Sequence, residues 1–279
     1  MKGKTVLITG ANGGIGKMTA CNLAKMGAQV VMVARSQERG EAALGNVKAA
    51  SGSDDVHLLL ADLSSQTAVR QLAATFKANY DRLDVLINNA GAIFLKRKLS
   101  ADGIEMTFAL NHISYFLLTN LLLDMLKASS PARIINVSSV AHEMNPLNFD
   151  DLQSEKAYRG FQAYGKSKLA NLLFTYELDR RLKGSGITVN ALHPGFVGTN
   201  FAKNNGRLVR LAMFFINKFA LPPEKGAETP VYLAAAPEVA AVSGQYFYQK
   251  KTKRSSSASY DEAAAQRLWQ ISEQMTGLP

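Results

Sequence analysis

The chain has 279 residues, 47% of them hydrophobic, enough to bury a full core and near the upper size for one α/β domain, so a single domain over 1–279 is expected. Formal charge is +10, from 32 basic and 22 acidic residues, but the densest basic run, Lys250 to Arg254, lacks interleaved aromatics and reads as a solvated loop rather than a nucleic-acid site. The single Cys21 excludes an internal disulfide, and no apolar run reaches the roughly 20 residues of a membrane span, so a cytoplasmic protein without stable membrane insertion is expected.

In chain order, apolar runs of strand length stand at Val6–Thr9, Val30–Ala34, Val56–Leu60, Val85–Asn88, Ile134–Ser138 and Val189–His193. Helical stretches begin between them near Gly14, Gln37, Ser65, Ile113 and Phe161. Helix-length crossovers between buried strands require a parallel sheet covered on both faces. The expected fold is therefore α/β, a doubly wound parallel sheet of Rossmann type with about seven strands; the seventh is placed at Gln245–Tyr248, after a helix over Glu224–Ala236.

Between the first strand and first helix lies Gly10-Ala11-Asn12-Gly13-Gly14-Ile15-Gly16. A dinucleotide's pyrophosphate needs such a turn: Gly10 for the bend, Gly14 for close backbone approach and Gly16 for helix packing, with the helix N-terminus stabilising the anion. At the end of the second strand, an acidic residue would hold the ribose 2'-hydroxyl of NAD. Ala34 stands there instead, followed by Arg35, whose planar fork suits the 2'-phosphate of NADP(H), with Ser36, Arg39 and Lys17 near enough to assist. Asp62, after the third strand, fits a helix cap.

Ser139, in Asn136-Val137-Ser138-Ser139, closes the fifth strand at the end where open α/β sheets bind ligands. Tyr164 and Lys168 then share one helix face. Spacing alone is weak evidence among nine tyrosines, and a second Tyr-x-x-x-Lys pair occurs at Tyr246 and Lys250. That pair falls on a strand-like segment, where residues four apart are separated by about 13 Å and cannot share a proton. A phenol near pKa 10 is a reluctant base, so an ammonium about 4 Å away is expected to lower it by up to about 3 units and make Tyr164 competent near pH 7. His57, His112, His142 and His193 lie on different elements without ligand spacing, and no metal is expected.

The Thr9-Gly10-x-x-x-Gly14-x-Gly16 spacing, with Tyr164-x-x-x-Lys168, resembles the short-chain dehydrogenase/reductase family from Thr5 to about Gln274. The resemblance implies that Ser139 rather than Ser138 meets the substrate oxygen. It also implies that Asn111, in Leu110-Asn111-His112, supports a proton path to Lys168. Asp62 and Leu63 would contact adenine, Asn89, Ala90 and Gly91 would line the cofactor site, and Pro194 and Gly195 would form the nicotinamide-side turn, with Val197 and Thr199 as carboxamide and phosphate contacts; His193 reads as structural. Ser138-Ser139-Val140-Ala141-His142, the step from Ser139 to Tyr164, Leu169-Ala170-Asn171 and Arg267-Leu268-Trp269 are most similar to the retinol-dehydrogenase-like branch, whose usual N-terminal membrane anchor is not expected here.

A substrate lid is expected at about 198–225, made apolar by Leu208, Val209, Leu211, Met213, Phe214, Phe215, Ile216 and Phe219. The same apolar face equally fits a helix on the core or a second copy in a homo-oligomer. The implied function is an NADP(H)-dependent carbonyl reductase or alcohol dehydrogenase acting on an apolar ketone, aldehyde or alcohol. Competing readings are an NADP-sensing regulatory protein without catalysis and a reductase of activated carbon–carbon double bonds.

Overall fold

The computed structural model describes residues 1–197 and 220–278. Its strands are β1 Thr5–Thr9, β2 Gln29–Ala34, β3 Val56–Leu60, β4 Val85–Asn88, β5 Ala132–Val137, β6 Ile187–His193, β7 Tyr246–Tyr248 and β8 Lys251–Thr252. They form one sheet in the order β3-β2-β1-β4-β5-β6-β7-β8, parallel as far as β7, with β8 antiparallel to it. The chain leaves β1 toward β2 and returns on the other side at β4. The strand order thus reverses beside β1, opening a crevice at the carboxyl ends of β1 and β4.

The helices are α1 Gly14–Lys25, α2 Gln37–Ser51, α3 Gln66–Asn79, α4 Met106–Phe108, α5 Ser114–Leu121, α6 Leu123–Ala128, α7 Gly160–Arg181, α8 Pro223–Ala235 and α9 Glu262–Thr276. The central strands are apolar on both faces because both are covered. Val6, Ile8, Val30 and Met32 pack with Ala20 and Leu23 of α1 and Leu233 of α8. Their strand neighbours Leu7, Val31 and Val33 point the opposite way, toward Leu72 and Phe76 of α3 and Phe116 of α5.

Four features depart from the sequence expectation. Strands β5 and β6 each begin two residues earlier than their apolar runs, because polar Arg133 and Thr188 pair within them. Arg133 donates to the carbonyls of Leu233 and Ala236 and so caps the end of α8, a role no apolar pattern reveals. The Lys250–Arg254 run is not simply a loop: Gln249 and Lys250 have φ of 50° and 63°, turning β7 back into the exposed β8. The helix expected near Ile113 starts earlier, at Met106, where the Glu105 carboxylate accepts from the Thr107 and Phe108 amides.

That helix passes through a π-helical turn at Ala109–Ile113 before entering α5. The fourth departure, α9, was not anticipated. Asp261 caps it by accepting from the Ala264 amide, and Trp269 seats it on the core between Phe116, at a ring distance of 4.9 Å, and Phe174, at 5.8 Å. The Arg181 guanidinium covers the indole at 4.1 Å. Such aromatic contacts each add about 1 kcal/mol beyond their burial. Among the described residues no helix is long and apolar enough to cross a membrane. Of the expected lid at 198–225, residues 198–219 lie outside the described residues.

Candidate active site

The glycine turn is explained by what surrounds it. Gly10 has φ +66°, and a Cβ there would stand 2.8 Å from the Ala90 Cα; one at Gly16 would stand 2.5 Å from the Gly10 carbonyl oxygen and 2.6 Å from the Asn89 amide nitrogen. Gly14 also takes a positive φ, +52°. Gly13 is the N-cap of α1 and offers no side-chain cap, which leaves the first amides, around Asn12 to Ile15, without a side-chain partner from the cap. This is a cradle for an anion that a single methyl group would fill, and it fits a nucleotide pyrophosphate.

Thr9 and Asn89 lace the two strands that flank the crevice. The Thr9 hydroxyl accepts from the Asn89 and Ala90 amides at 2.8 and 3.0 Å, while the Asn89 side chain donates to the carbonyls of Thr9, at 2.8 Å, and Gly10, at 3.3 Å. Asn88 faces away from the crevice, into a buried network through Asn136 to Thr175. Neighbouring asparagines therefore divide the work: Asn88 joins strands inside the sheet, and Asn89 shapes its open end.

At the end of β2 the Arg35 side chain is 61% exposed, and among the described residues its charge contact is Asp62 at 4.0 Å. Such a loosely held guanidinium is free to turn to a phosphate. Asp62 accepts from the amide and hydroxyl of Ser64 in the turn before α3, but the N-cap of α3 is Ser65, which accepts from the Ala68 amide, so Asp62 is not the cap; its second oxygen faces Arg35. Ser36 is engaged as the N-cap of α2, accepting from the Arg39 amide. The Leu63 side chain is buried in the core with Val69 and Leu72, which leaves its backbone as the part able to meet a ligand.

Four expected residues converge at the carboxyl end of β5. Lys168 is 3% exposed and donates to the Val137 carbonyl at 2.9 Å. Its ammonium lies 5.7 Å from the ring centroids of both Tyr164 and Tyr115. The Tyr164 phenol shares a hydrogen bond with Ser139. Ser138 is turned inward and donates to the Lys168 carbonyl at 2.8 Å, which leaves Ser139 as the serine facing Tyr164. A Cβ on Gly91 would approach the Asn111 Oδ1 to 3.3 Å and the Lys168 Nζ to 3.4 Å, so a bare glycine lets the three meet. The Asn111 side chain accepts from the Ala92 amide and donates to the Ala92 carbonyl and the Ser167 hydroxyl. It thereby pins the π-helical turn both to the loop after β4 and to α7.

The expected lowering of the Tyr164 pKa is not found in the protein alone. Burial pushes Tyr164 up to about 12 and Lys168 down to about 7. Removing the phenolate from water outweighs an ammonium that burial itself weakens. At neutral pH the Tyr164 phenol is accordingly protonated.

Beyond β6, Gly195 has φ +92°, and a Cβ there would meet Leu221 at 2.8 Å; Val197 pairs with Leu221 in an isolated bridge, and Pro194 opens this turn. Thr199 lies outside the described residues. His193 stacks on Tyr248 at 5.2 Å, and burial lowers its pKa to about 4, so it stays neutral and serves packing. No cluster of three or more potential metal ligands occurs among the described residues.

Sequence reasoning missed two contributors. Gly226, on α8, lets Val197 and Ile15 close on the helix, since a Cβ there would meet them at 2.7 and 2.9 Å. Tyr115 bounds the lysine and donates to the Ala90 carbonyl at 2.8 Å. Neither carries a local motif; the signal is tertiary.

Comparison with known proteins agrees with this geometry. The short chain dehydrogenase family model matches residues 4–208. Retinol dehydrogenase 14 of Homo sapiens is 44% identical over 294 residues, covering 100% of this chain and 88% of that protein. Retinol dehydrogenase 13 of Homo sapiens is 44% identical over 284 residues, covering 99% and 85%. Among solved structures, an uncharacterised protein from Mycobacterium paratuberculosis superposes with a TM-score of 0.79 at 35% identity, covering 99% of this chain and 94% of that one. The Pseudomonas aeruginosa RhlG/NADP active-site complex gives 0.70 at 28% identity, covering 88% and 94%. With its crevice, glycine turn and Tyr164–Lys168 helix in place, the chain belongs to the short-chain dehydrogenase/reductase family, in its retinol-dehydrogenase-like branch.

Proposed function

We propose that the protein is an NADP(H)-dependent carbonyl reductase or alcohol dehydrogenase acting on an apolar ketone, aldehyde or alcohol. The observation that carries this reading is the convergence of Lys168, Tyr164 and Ser139 at the end of β5, with Lys168 tied to the Val137 carbonyl. NADPH, when bound, supplies the hydride. Ser139 donates to the substrate oxygen, and Tyr164, protonated at neutral pH, gives its proton to the developing alkoxide. Lys168 stabilises the phenolate left behind and holds the cofactor ribose. Asn111 keeps the turn beside Lys168 in place and supports the path by which the proton is replaced.

The phosphate cradle of Gly10, Asn12, Gly13, Gly14, Ile15 and Gly16 supports nucleotide binding, with Asp62, Leu63, Asn89, Ala90 and Gly91 on the adenine and ribose side. Preference for NADP(H) is supported by Ala34 and the loosely held Arg35, with Ser36 beside it, and by the NADP complex of a structural relative. Pro194, Gly195, Val197 and Thr199 take the nicotinamide side.

An apolar substrate is supported by exposed Val140, Met144, Phe161, Phe196 and Leu221, which neighbour Ser139, Tyr164, Gly165 and Gly195 in the chain or by contact. The relatives' name, retinol dehydrogenase, places retinaldehyde in the test panel. The cytoplasmic location read from the sequence belongs to the same proposal and is checked by cell fractionation. Aromatic, terpenoid, long-chain and retinoid carbonyls assayed with NADPH and NADH test the function. We expect alcohol products and at least tenfold preference for NADPH; NADH preference or saturated carbonyl products would contradict it.

A further inference from the structure

We propose that His142 is a positioning residue for Ser139, a neutral imidazole that ties the Ser139 carbonyl to the backbone of Ser256. The inference rests on the function proposed above and extends it to a residue outside the reacting group. His142 lies in the short 3-10 turn Val140–Glu143 that follows Ser139, with its side chain completely buried. Its Nδ1 is 2.6 Å from the Ser139 carbonyl oxygen, and the Ser256 amide donates to its Nε2 at 3.0 Å. A carbonyl can only accept and a backbone amide can only donate, so Nδ1 carries the proton and Nε2 does not. Geometry alone fixes the neutral tautomer.

The anchor at the other end is firm. Ser255 shares hydrogen bonds of 2.7 Å with the Tyr176 hydroxyl of α7 and with the Ser259 hydroxyl, and the Tyr246 ring of β7 packs edge-on to the imidazole at 5.2 Å. The peptide that carries Ser139 is therefore held from α7 through Tyr176, Ser255, Ser256 and His142. Among the described residues, the Ser139 hydroxyl has the Ala141 amide, at 3.2 Å, as its backbone tether besides its contact with Tyr164. Its aim depends on that peptide.

Protonation would place an N–H on Nε2 opposite the Ser256 N–H, setting two donors against each other. Burial, the largest influence, and the charge of Lys253 disfavour the imidazolium, whereas the Ser139 carbonyl and Glu143 on its own turn favour it. Among the described residues, His193 from β6 and the Tyr246 ring from β7 also face it. The balance holds His142 below the ordinary histidine range, so the tie persists at neutral pH and is lost only in acid.

The test uses His142→Ala and His142→Asn; the asparagine amide keeps a donor near the Nδ1 position and does not titrate. We expect His142→Ala to lower kcat about tenfold while the Kd for NADPH stays within twofold, since misaiming a hydrogen-bond donor affects turnover rather than cofactor binding. The wild type is expected to lose turnover in acid, below the ordinary histidine range, and His142→Asn should recover kcat to within about threefold and lack that acid limb. Unchanged kcat in folded His142→Ala, or an unaltered acid limb in His142→Asn, overturns the proposal. Nitrogen-15 NMR of the wild-type histidines needs no turnover and separates this inference from the function beneath it. A neutral, Nδ1-protonated His142 persisting below pH 6 supports the tie; an Nε2-protonated or charged ring at pH 7 refutes it even if the chain proves to be a reductase.

Discussion

Two tyrosines in this chain stand four residues before a lysine, and only one pair is a candidate for chemistry. Tyr164 and Lys168 occupy successive turns of α7, where the ammonium lies 5.7 Å from the phenol ring. Tyr246 and Lys250 straddle the end of β7. Among the described residues the buried Tyr246 hydroxyl has no hydrogen-bond partner, and Lys250 turns away through φ +63° to meet Glu228 at 3.2 Å. The same letters at the same spacing give a candidate proton-transfer pair on a helix and a hairpin corner on a strand. What differs is periodicity, 3.6 residues per turn against 2, and the company each pair keeps: Val137, Ser139 and Gly91 surround the first pair.

The largest effect should come from removing each lysine. Lys168→Met is expected to cut kcat about 1,000-fold, whereas Lys250→Met should leave it within about twofold. In the wild type, kcat/KM for carbonyl reduction should fall as pH rises through about 7, because the free protein loses the Lys168 proton there. That ionisation should be missing in Lys168→Met. Steady-state kinetics with an apolar aldehyde across pH 5.5–9 reads all three outcomes; equal losses in the two variants would erase the distinction.

A smaller effect is expected at the cofactor's far end. Arg35→Ala removes a charge-assisted contact worth about 1.5–3 kcal/mol, so the KM for NADPH should rise roughly 10- to 150-fold while that for NADH changes little. Equal changes for both cofactors would detach Arg35 from the 2'-phosphate.

The smallest effect separates the tyrosines by stability. Tyr246→Phe deletes a buried hydroxyl that has no partner among the described residues and should leave the protein as stable or about 1 kcal/mol more stable by urea unfolding, with turnover unchanged. A loss of 2 kcal/mol or more would mean that this hydroxyl is bonded in solution.

The alternation of buried strands and helices was enough to derive the doubly wound sheet, because strands covered on both faces must be apolar throughout. The glycine turn was legible for a similar reason: Gly10 and Gly16 answer to backbone close approaches, which no other residue type tolerates. Edges and polar interiors were not legible. Arg133 lies within β5 yet caps α8, and the π-helical turn at Ala109–Ile113 appears as ordinary helix in any periodicity. Helix α9 depends on the seating of Trp269 between Phe116 and Phe174, which are distant in sequence. The raised pKa of Tyr164 was missed because charge can be read from letters and burial cannot.

The most direct test of the account is single-turnover oxidation of bound NADPH by an apolar aldehyde, compared between wild type, Tyr164→Phe and Tyr246→Phe. The account predicts a fall of about 1,000-fold for Tyr164→Phe with NADPH affinity retained, and wild-type rates for Tyr246→Phe. Full-rate hydride transfer in Tyr164→Phe would contradict it.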